Sequence, residues 1–494
     1  MKKVLLQASL AFSIFIVALA CSKDDAPAPI PAPSITNFTP SSGKVGTNVT
    51  INGKNFGNTK TNNTVKFGNI AAEITTVSTT KLVVTVPVGA ITGKISVTAN
   101  GDTAISTSTF TVEEDAPVLA LNKTALELYT LDNEILVASG NGGATINWTS
   151  SNPEVAMVDA NGKVTAMGAG NATITATVGS QSVNAVATIV PNVYIGGYES
   201  NGTNNVAAIW KNGTKQGLST SSDNSQVNSL FVVGADTYAA GNDGNVAMVW
   251  KNGEELYQLT NGANGARANG IFVEGSDVYA VGEESVDGFF VAKVWKNGNL
   301  LKNVTNGVTN AYGKSIHVDG IDIYVAGHES NGELNEARVW KNFQVLHDLS
   351  DGSNPAEAYS MVWDGTDVYT VGTEVEEGKF KAQIWKNNVL AKELTDGSNN
   401  GYAQSVFVDG DNVYVAGNDG IAPKIWKNGE VLYQHPDGGN YTEANAIHTN
   451  IGNVYASGFA ALGGKNVVKL WKNDEEMTIT DGSQDAKSFD LIVQ

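Results

Sequence analysis

The sequence predicts an all-β fold, and three observations carry this prediction. Seven tryptophans recur at intervals of 40 to 45 residues in the last three hundred residues, and each begins the tripeptide Trp-Lys-Asn. The segments around them alternate apolar and polar residues and are rich in Val, Ile, Tyr and Phe, which is typical of strands. No helical stripe of useful length interrupts them. The tryptophans are Trp210, Trp250, Trp295, Trp340, Trp385, Trp426 and Trp471.

Each repeat contains four short strand-like segments in the same order, which we name A to D. In one copy they cover residues 315–320, 322–327, 337–342 and 345–349. A period of about 40 to 45 residues with four strands is typical of a β-propeller blade. We therefore expect residues 191–494 to form a seven-bladed β-propeller of four-stranded blades.

The connections between strands are short and rich in Asn, Asp and Gly. Strand A meets strand B through Asp-Gly or a close relative, and strand C meets strand D through Asn-Gly in four copies. These dipeptides tolerate the positive φ that tight hairpins demand. In the other three copies, Phe343, Asn388 or Asp474 replaces the glycine of the Asn-Gly dipeptide between strands C and D. Phe343 argues against a type I′ turn in its blade.

The order of the strands indicates how the ring closes. The chain enters the repeats on a strand B, residues 193–195, and leaves them on a strand A, residues 488–493. Pairing of these two ends would complete one blade and leave no free edge between the first and last repeats. The region resembles the β-propeller superfamily, and this closure is similar to that of kelch-type propellers, although the kelch sequence marks are absent.

The N-terminus has the pattern of a secretory signal. Two lysines precede an apolar stretch, Val4 to Ala20, which is too short for an ordinary membrane span, and Cys21 follows it. Residues 1–20 with Cys21 resemble the signal and lipobox of a bacterial lipoprotein, although Ala18 occupies the place where Leu is usual. The resemblance implies lipidation of Cys21 and a lipid anchor in the membrane.

The segment after Cys21 predicts where the protein is displayed. Residues 22–25, Ser-Lys-Asp-Asp, are similar to the acidic export signal of surface lipoproteins of the Bacteroidetes. Residues 21–34 continue as a Pro/Ala tether that favours extended conformations. The resemblance implies the cell outer membrane with the protein facing outward. The alternative is a disordered linker on a periplasmic protein.

Two segments between the tether and the repeats resemble immunoglobulin-like families. Residues 35–113 resemble the IPT/TIG family, and residues 117–190 resemble the bacterial Ig-like group 2 (BIG2) family. The first resemblance rests on Phe38-Thr39-Pro40, Ile51-Asn52-Gly53, Asn55-Phe56-Gly57 and Val65-Lys66-Phe67-Gly68, the second on Trp148-Thr149-Ser150-Ser151-Asn152-Pro153 and Gly162-Lys163-Val164-Thr165-Ala166. The expected protein is two Ig-like β-sandwiches, acting as a stalk, followed by the propeller.

Composition excludes one class of partner. The formal net charge is −19 and the pI is about 4.7, so clustered Lys and Arg for phosphate neutralisation are lacking and nucleic acid is not an expected partner. Cys21 is the only cysteine, so no intramolecular disulfide is expected.

The sequence contains no recognisable catalytic or metal-binding motif. The five histidines show no metal-ligand spacing, and neither His-Glu-x-x-His nor Gly-x-Ser-x-Gly occurs. We therefore assign no catalytic residue, no metal ligand and no cofactor. Two alternatives stay open: a carboxylate pair could hydrolyse glycosides, and acidic loops around Glu283, Glu329 and residues 374–377 could bind calcium.

The candidate ligand site lies just before strand A, on the face where the loops vary among repeats. Residues three before and one before the strand-A serine share one side of the chain and would line the channel mouth if strand A is innermost. The first set is Gln226, Arg267, Tyr312, Glu357, Tyr402, Glu443 and Asp485, and the second is Asn228, Asn269, Lys314, Tyr359, Gln404, Asn445 and Lys487. Ligand contacts are expected from Arg267, Tyr312, Lys314, Glu357, Tyr359, Tyr402, Gln404, Glu443 and Asn445.

Three functions are compatible with these residues. Amides, carboxylates and tyrosines suit sugar hydroxyls and apolar C–H faces, which favours a surface module that binds a glycan or an extracellular protein. The alternatives are a surface carbohydrate-active enzyme with a carboxylate pair in the funnel and a structural subunit of an outer-membrane complex. A wet channel without a ligand would show the same residue types.

Overall fold

The computed structural model describes residues 30–115, 117–219, 223–435 and 441–494. The predicted signal, Cys21 and the tether up to residue 29 lie outside the described residues. Within these ranges the chain forms strands and one short 3₁₀ turn, Lys60–Asn62, so the all-β prediction is confirmed. No helix in the described part is long and apolar enough to cross a membrane.

The described residues from 30 to 117 form one compact unit. Its strands are β1 Ser34–Thr39, β2 Ser42–Gly43, β3 Asn48–Lys54, β4 Asn63–Phe67, β5 Ile70–Val77, β6 Lys81–Thr85, β7 Gly93–Ala99 and β8 Asp102–Val112. They pair in the order β1-β3-β6-β5-β4-β7-β8-β2. Strand β5 pairs with both β4 and β6, and alternate residues of β3, β6, β4 and β7 meet in one core that includes Ile51, Val84, Phe67 and Val97.

Residues 118–494 form the second unit, which begins with another small sandwich. Its strands are β9 Ala120–Leu121, β10 Ala125–Tyr129, β11 Asn133–Ile135, β12 Ala138–Ser139, β13 Asn147–Ser150, β14 Ala156–Val158, β15 Lys163–Ala166, β16 Gly170–Val178 and β17 Gln181–Val190. A four-stranded sheet, β10-β17-β16-β13, packs against the sheet β11-β15-β14 through a core that includes Ile174, Ala187 and Val164.

The described residues from 193 to 493 form seven four-stranded antiparallel sheets, which we call blades 1 to 7 with strands A to D. Blade 1 has A Ala486–Val493, B Val193–Ser200, C Asn205–Lys211 and D Thr214–Gly217. Blade 2 has Ser225–Val233, Asp236–Asp243, Val246–Lys251 and Glu254–Gln258. Blade 3 has Ala266–Glu274, Asp277–Val286, Phe289–Lys296 and Asn299–Asn303. Blade 4 has Ala311–Asp319, Asp322–Ser330, Asn335–Lys341 and Gln344–Asp348. Blade 5 has Ala356–Trp363, Val368–Glu376, Lys379–Lys386 and Val389–Glu393. Blade 6 has Gly401–Asp409, Asn412–Asp419, Ala422–Lys427 and Glu430–Gln434. Blade 7 has Thr442–Asn450, Asn453–Leu462, Lys465–Lys472 and Glu475–Thr478.

The blades form a closed ring with strand A innermost. The A strands of neighbouring blades contact each other around the whole ring, including the contact between blade 1 and blade 2. Blade 1 is built from both ends of the region, because Val193 pairs with Val493 and Tyr194 with Ile492. This pairing is the closure expected from the strand order.

The tripeptide Trp-Lys-Asn has a packing role at each position. Each of the seven tryptophans is at most 2% exposed and packs against the preceding blade, as Trp295 does against Ala240 and Val249 of blade 2. Lys296 lies over the ring of Tyr279, 4.9 Å from its centroid, and all seven repeats contain this lysine–tyrosine contact. The repeated residues are therefore accounted for by the framework of the fold.

The asparagine of the tripeptide fixes the turn between strands C and D. Asn297 has a φ of 49°, accepts a hydrogen bond from the N–H of Val278 on strand B and donates one to Asp277, both at 2.8 Å. In blade 4, Asn342 and Phe343 both have positive φ, 50° and 68°. The expectation that Phe343 prevents this turn geometry was wrong; its half-buried side chain packs on the apolar core between blades 3 and 4.

Candidate functional site

Strand A of each blade carries a β-bulge at its start, and two residues beside the bulge face the channel. The bulge lies between Gly313 and Ser315 in blade 4 and recurs at the same place in the other blades. We call the residue left unpaired the bulge position and the residue two before it the entry position. The entry positions are Gln226, Arg267, Tyr312, Glu357, Tyr402, Glu443 and Lys487, and the bulge positions are Asn228, Asn269, Lys314, Tyr359, Gln404, Asn445 and Phe489.

The prediction for blade 1 was shifted by two residues. The N–H of Ser200 donates to the carbonyl of Asp485, as the N–H of Ser330 does to Asn310 in blade 4, so Asp485 matches the connector before the entry position. Asp485 also accepts a bond from the N–H of Asn466 at 2.8 Å. A shift of two residues keeps the same face of a strand, so alternation alone could not reveal the error. Lys487 is the entry residue and Phe489 the bulge residue.

A cavity of about 470 Å³ lies at the mouth of the channel. Its lining consists of Asn228, Asn269, Tyr312, Lys314, His328, Glu357, Tyr359, Gln404, Glu443, Asn445 and Phe489. Seven of the nine sequence-predicted residues are in this lining. Arg267 is exposed outside it, and Tyr402 stands beside it, close enough that Glu357 and Glu443 add to the effect of burial in raising the pKa of its hydroxyl.

Three consecutive entry residues are held in place by the blade before them. The Nδ2 of Asn335 donates to Oε1 of Glu357 at 2.8 Å. Phe290 and Phe380 pack on Tyr312 and Tyr402, with ring centroids 5.4 and 5.3 Å apart. All three supporting residues come from the start of strand C, where the variable B–C loop ends. The loop face therefore contributes to the mouth by positioning the entry residues.

Glu357 is the anionic group at the centre of this arc. Tyr359 donates from its hydroxyl to Oε2 of Glu357 at 2.9 Å. Burial alone would raise the pKa of Glu357, but His328, the bonds from Asn335 and Tyr359 and the charge of Lys314 together lower it. Glu357 is therefore ionised at neutral pH, with both oxygens already accepting hydrogen bonds.

The sequence analysis did not place two strand-B residues, His328 and Glu283, at this site, and it considered Glu283 only as part of an acidic loop for calcium. His328 is 4% exposed, its ring lies 4.8 Å from that of Tyr312, and burial lowers its pKa to about 4, so it is neutral at pH 7. Glu283 is also 4% exposed, accepts a bond from Asn269 at 2.5 Å, and burial raises its pKa. Both follow the glycine of strand B, and comparison of that position among repeats could have revealed them.

Several carboxylates of the acidic loops considered for calcium form ion pairs with side chains of the protein. Arg338 contacts Glu329, Glu336 at 2.6 Å and Asp348 at 3.0 Å, and Lys293 contacts Glu284 at 2.5 Å. Among the residues that the structure describes, no three His, Cys, Asp or Glu side chains are grouped as a metal site would require. These carboxylates contribute to ion pairs on the blade surfaces.

Below the bulge positions the channel changes character. A second cavity of about 440 Å³ is lined at the level of Phe231, Phe272 and Phe407 by packed rings, and His317 and His448 complete this layer. The centroids of Phe231 and Phe272 are 4.9 Å apart, and those of Phe407 and His448 are 4.2 Å apart. The channel is thus polar at its mouth, and below it aromatic rings stand beside polar groups of strand A.

Comparison with family models supports the two Ig-like segments. Residues 33–113 match the IPT/TIG domain, as expected. Residues 135–180 match the immunoglobulin-like domain of intimin, which supports an Ig-like segment there. The finer BIG2 assignment stays a prediction. No curated protein matches the chain.

Solved structures align with the chain at low identity. The WD40 β-propeller domain of Doa1 is 13% identical, with a TM-score of 0.36, over 54% of this chain and 91% of that one. An auxiliary nutrient binding protein from Bacteroides ovatus is 14% identical, with a TM-score of 0.26, over 87% and 96%. Another from Bacteroides thetaiotaomicron is 10% identical, with a TM-score of 0.23, over 94% and 99%. The propeller assignment rests on the strand pairing described above, and residues 193–494 are a β-propeller closed by its own two ends.

Proposed function

We propose that this protein is a binding module that captures a saccharide at the polar mouth of its propeller. The observation that carries the proposal is the arc Tyr312, Glu357 and Tyr402, in which each side chain is held by a residue of the preceding blade. Side chains fixed before the ligand arrives lose little conformational entropy on binding. Such preorganisation is unnecessary for a channel that holds only water.

The chemistry of the arc suits a sugar ring. An ionised carboxylate accepts directed hydrogen bonds from hydroxyl groups, and tyrosine faces cover the apolar C–H groups of a pyranose. The cavity of about 470 Å³ falls within the range of small-ligand sites. Gln404 and Lys314 add donors on the same side of the mouth.

Binding of the purified protein to a broad glycan array tests this function. We expect saturable binding to at least one saccharide, and the double variant Tyr312→Ala/Tyr402→Ala should lower that affinity at least tenfold without a loss of fold. Tyr257→Ala on the outer strand D of blade 2 is the matched control. Binding that is equal in wild type and double variant would refute the site.

One observation favours a carbohydrate-active enzyme as a second candidate. Glu283 and Glu357 lie around the same lysine, Lys314, and their pKa values move in opposite directions, one raised by burial and one lowered. Glycoside hydrolysis uses two carboxyl groups whose environments push their pKa values apart, the one with the raised pKa serving as general acid. Sugar released in the array wells, and lost in Glu283→Gln, would establish the enzyme; binding without release excludes it for those glycans.

The location of the protein is part of the proposal. Lipidation of Cys21, insertion in the outer membrane and outward display follow from the sequence pattern of residues 1–34. Substitution Cys21→Ala should release the protein from the membrane fraction, and protease added to intact cells should digest the wild type. Resistance to the protease would indicate a periplasmic location. Absence of binding to every glycan, together with co-purification of a membrane protein, would favour the alternative of a structural subunit of an outer-membrane complex.

A further inference from the structure

Asparagine at the bulge position has a structural task in three of the seven blades. Asn228 donates from Nδ2 to the carbonyl of Ala268 at 3.0 Å, and Asn269 donates to that of Gly313 at 2.8 Å. Asn445 donates to the carbonyl of Ser488 at 2.9 Å. In each case the acceptor belongs to the next blade. Asparagine is thus the residue that ties neighbouring A strands together at the waist of the channel.

Blades 4, 5 and 6 lack this asparagine. Lys314 places its ammonium over the ring of Tyr312, 5.2 Å from the centroid, and Tyr359 donates to Glu357. The side-chain amide of Gln404 makes no hydrogen bond in the part of the chain that the structure describes, although it lines the cavity. In these three neighbouring blades the asparagine hydrogen bond between A strands is absent. The side chain at each of their bulge positions faces the mouth of the channel.

The three departures coincide with the preorganised arc. The entry residues of the same blades are Tyr312, Glu357 and Tyr402, which the preceding blades hold in place. Two features, the loss of the framework asparagine and the support of the entry residue by the preceding blade, therefore coincide in the three neighbouring blades 4, 5 and 6. They also coincide in blade 1, where Phe489 replaces the asparagine and Lys487 lies over the ring of Phe459 of blade 7, 4.1 Å from its centroid. A channel without a ligand gives no reason for this coincidence.

The charges around the arc select against acidic ligands. The cavity lining carries one ammonium, Lys314, and two carboxylates, Glu357 and Glu443, while His328 is neutral at pH 7; the entry residues Arg267 and Lys487 lie outside this lining. The protein as a whole has a net charge of −19. A uronate or sulfate group would meet repulsion from the net charge on approach and from the two carboxylates of the lining. Hydroxyl groups, in contrast, find donors and acceptors on the arc.

The shape of the channel selects the end of a chain. The mouth lies at the centre of the ring, and below the bulge positions the rings of Phe231, Phe272 and Phe407 stand in the channel beside His317 and His448. A polysaccharide that threaded through would place part of its hydroxyl groups against these phenylalanine rings, where they find no partner. A terminal residue can enter the pit and stop at the bulge positions.

We propose that Lys314, Tyr359 and Gln404 form the seat for the terminal residue of a neutral hexose chain. This inference rests on the proposed saccharide binding and names its ligand class and its determinants. Glu357, fixed by Asn335 and Tyr359, accepts from sugar hydroxyls, and the Lys314 ammonium and Gln404 amide bond further oxygens of the same sugar ring.

Restoring asparagine at all three positions tests the seat. Lys314→Asn/Tyr359→Asn/Gln404→Asn introduces the residue that blades 2, 3 and 7 use for structure, so the triple variant should unfold at the same temperature as wild type or higher. Its affinity for the neutral glycan bound by wild type should fall at least thirtyfold. Asn297→Ala, which removes two hydrogen bonds of a C–D turn outside the cavity, is the control and should lower the unfolding temperature while changing affinity less than twofold.

The number of proteins bound per saccharide chain tests whether the chain binds by its terminal residue. Calorimetric titration with chains of increasing length should give one protein per chain, because only one end enters the pit. Several proteins on each long chain would overturn end-on binding, and equal affinity for a chain whose terminal residues are oxidised to uronates would overturn the selection for neutral sugar. Wild type that binds no saccharide would refute the proposed function itself, and wild type that binds only acidic saccharides would refute the selection for neutral sugar. Equal binding by wild type and the triple variant would refute only the seat.

Discussion

Asn335 and Glu357 lie on different blades, and the Nδ2 of Asn335 donates to Oε1 of Glu357 at 2.8 Å. The bond joins the end of a variable B–C loop to the centre of the channel mouth. It belongs to a pattern, because Phe290 supports Tyr312 and Phe380 supports Tyr402 from the same position of the preceding blade. The loop face therefore acts on the mouth through residues that do not line it.

Removal of this support should weaken binding without a large loss of stability. Asn335→Ala leaves Glu357 in place but frees its carboxylate to rotate, so we expect the affinity for the saccharide to fall about tenfold, in line with ~1.5 kcal/mol for a hydrogen bond to a charged group. Calorimetric titration measures the effect. Asn466→Ala is the control, because Asn466 makes the same kind of bond to Asp485 outside the cavity.

The sequence was sufficient for the framework because the framework repeats. Trp295 and its six counterparts, the turn asparagines and the glycine-rich hairpins occur at one period, and each has a packing or backbone reason that holds in every blade. The entry and bulge positions could be located in six blades for the same reason. In blade 1 the residue after the bulge is Asp490, where other blades have Ser, Gly or Ala. Ser488 therefore serves as the reference serine of strand A in the sequence assignment, which shifts the assigned positions by two residues.

The contacts across blades could not be predicted from one repeat. His328 and Glu283 reach the site from strand B, and Asn335 reaches it from a neighbouring blade. Their significance depends on which residue stands opposite them in space, and alternation along one strand does not contain that information. Phe343 shows the converse: local propensity opposed its positive φ, and packing against the core between blades 3 and 4 outweighed it.

The turn asparagine provides a test of the framework. Asn297→Ala removes two hydrogen bonds and keeps a β-carbon at a φ of 49°, whereas Asn297→Gly removes the bonds and the β-carbon together. We expect the alanine variant to be less stable than the glycine variant by about 1 kcal/mol, the cost of a left-handed conformation for a residue with a side chain. Urea denaturation measures both. Equal midpoints would mean that strain at this turn is relieved by movement of the hairpin.

The second sandwich and the propeller share a buried joint. Thr130, 4% exposed, donates from Oγ1 to the carbonyl of Gln494 at 2.5 Å and accepts at its own carbonyl from Nδ2 of Asn192 at 2.7 Å. The joint therefore contacts both ends of blade 1.

Thr130→Val keeps the shape of the joint but removes the hydroxyl. We expect a loss of about 0.5–1.5 kcal/mol, the net contribution of one hydrogen bond, because the Gln494 oxygen still accepts from the N–H of Asn192 at 2.6 Å. We also expect the unfolding of the sandwich to separate from that of the propeller in calorimetric scans. Thr177→Val on β16 serves as the control. A single unshifted transition in Thr130→Val would show that the joint does not couple the two.

Asp490 should make the propeller more stable in mild acid. Its Oδ2 accepts from the N–H of Leu230 at 2.6 Å and its Oδ1 from that of Leu491 at 2.8 Å, and burial raises its pKa to about 6. Because the folded state holds the proton more tightly than the unfolded state, the resulting stability is fully present below the ordinary aspartate value of 3.8 and is lost as pH rises through about 6.

Ser360 and Ser405 occupy the same position in blades 5 and 6 and accept the equivalent N–H of the next blade, at 3.3 Å in both cases. Asp490→Ser should therefore match wild type near pH 4 and exceed it by up to about 3 kcal/mol at pH 8, measured by urea denaturation across this range. A stability difference that does not change with pH would show that Asp490 keeps an ordinary pKa in the folded protein.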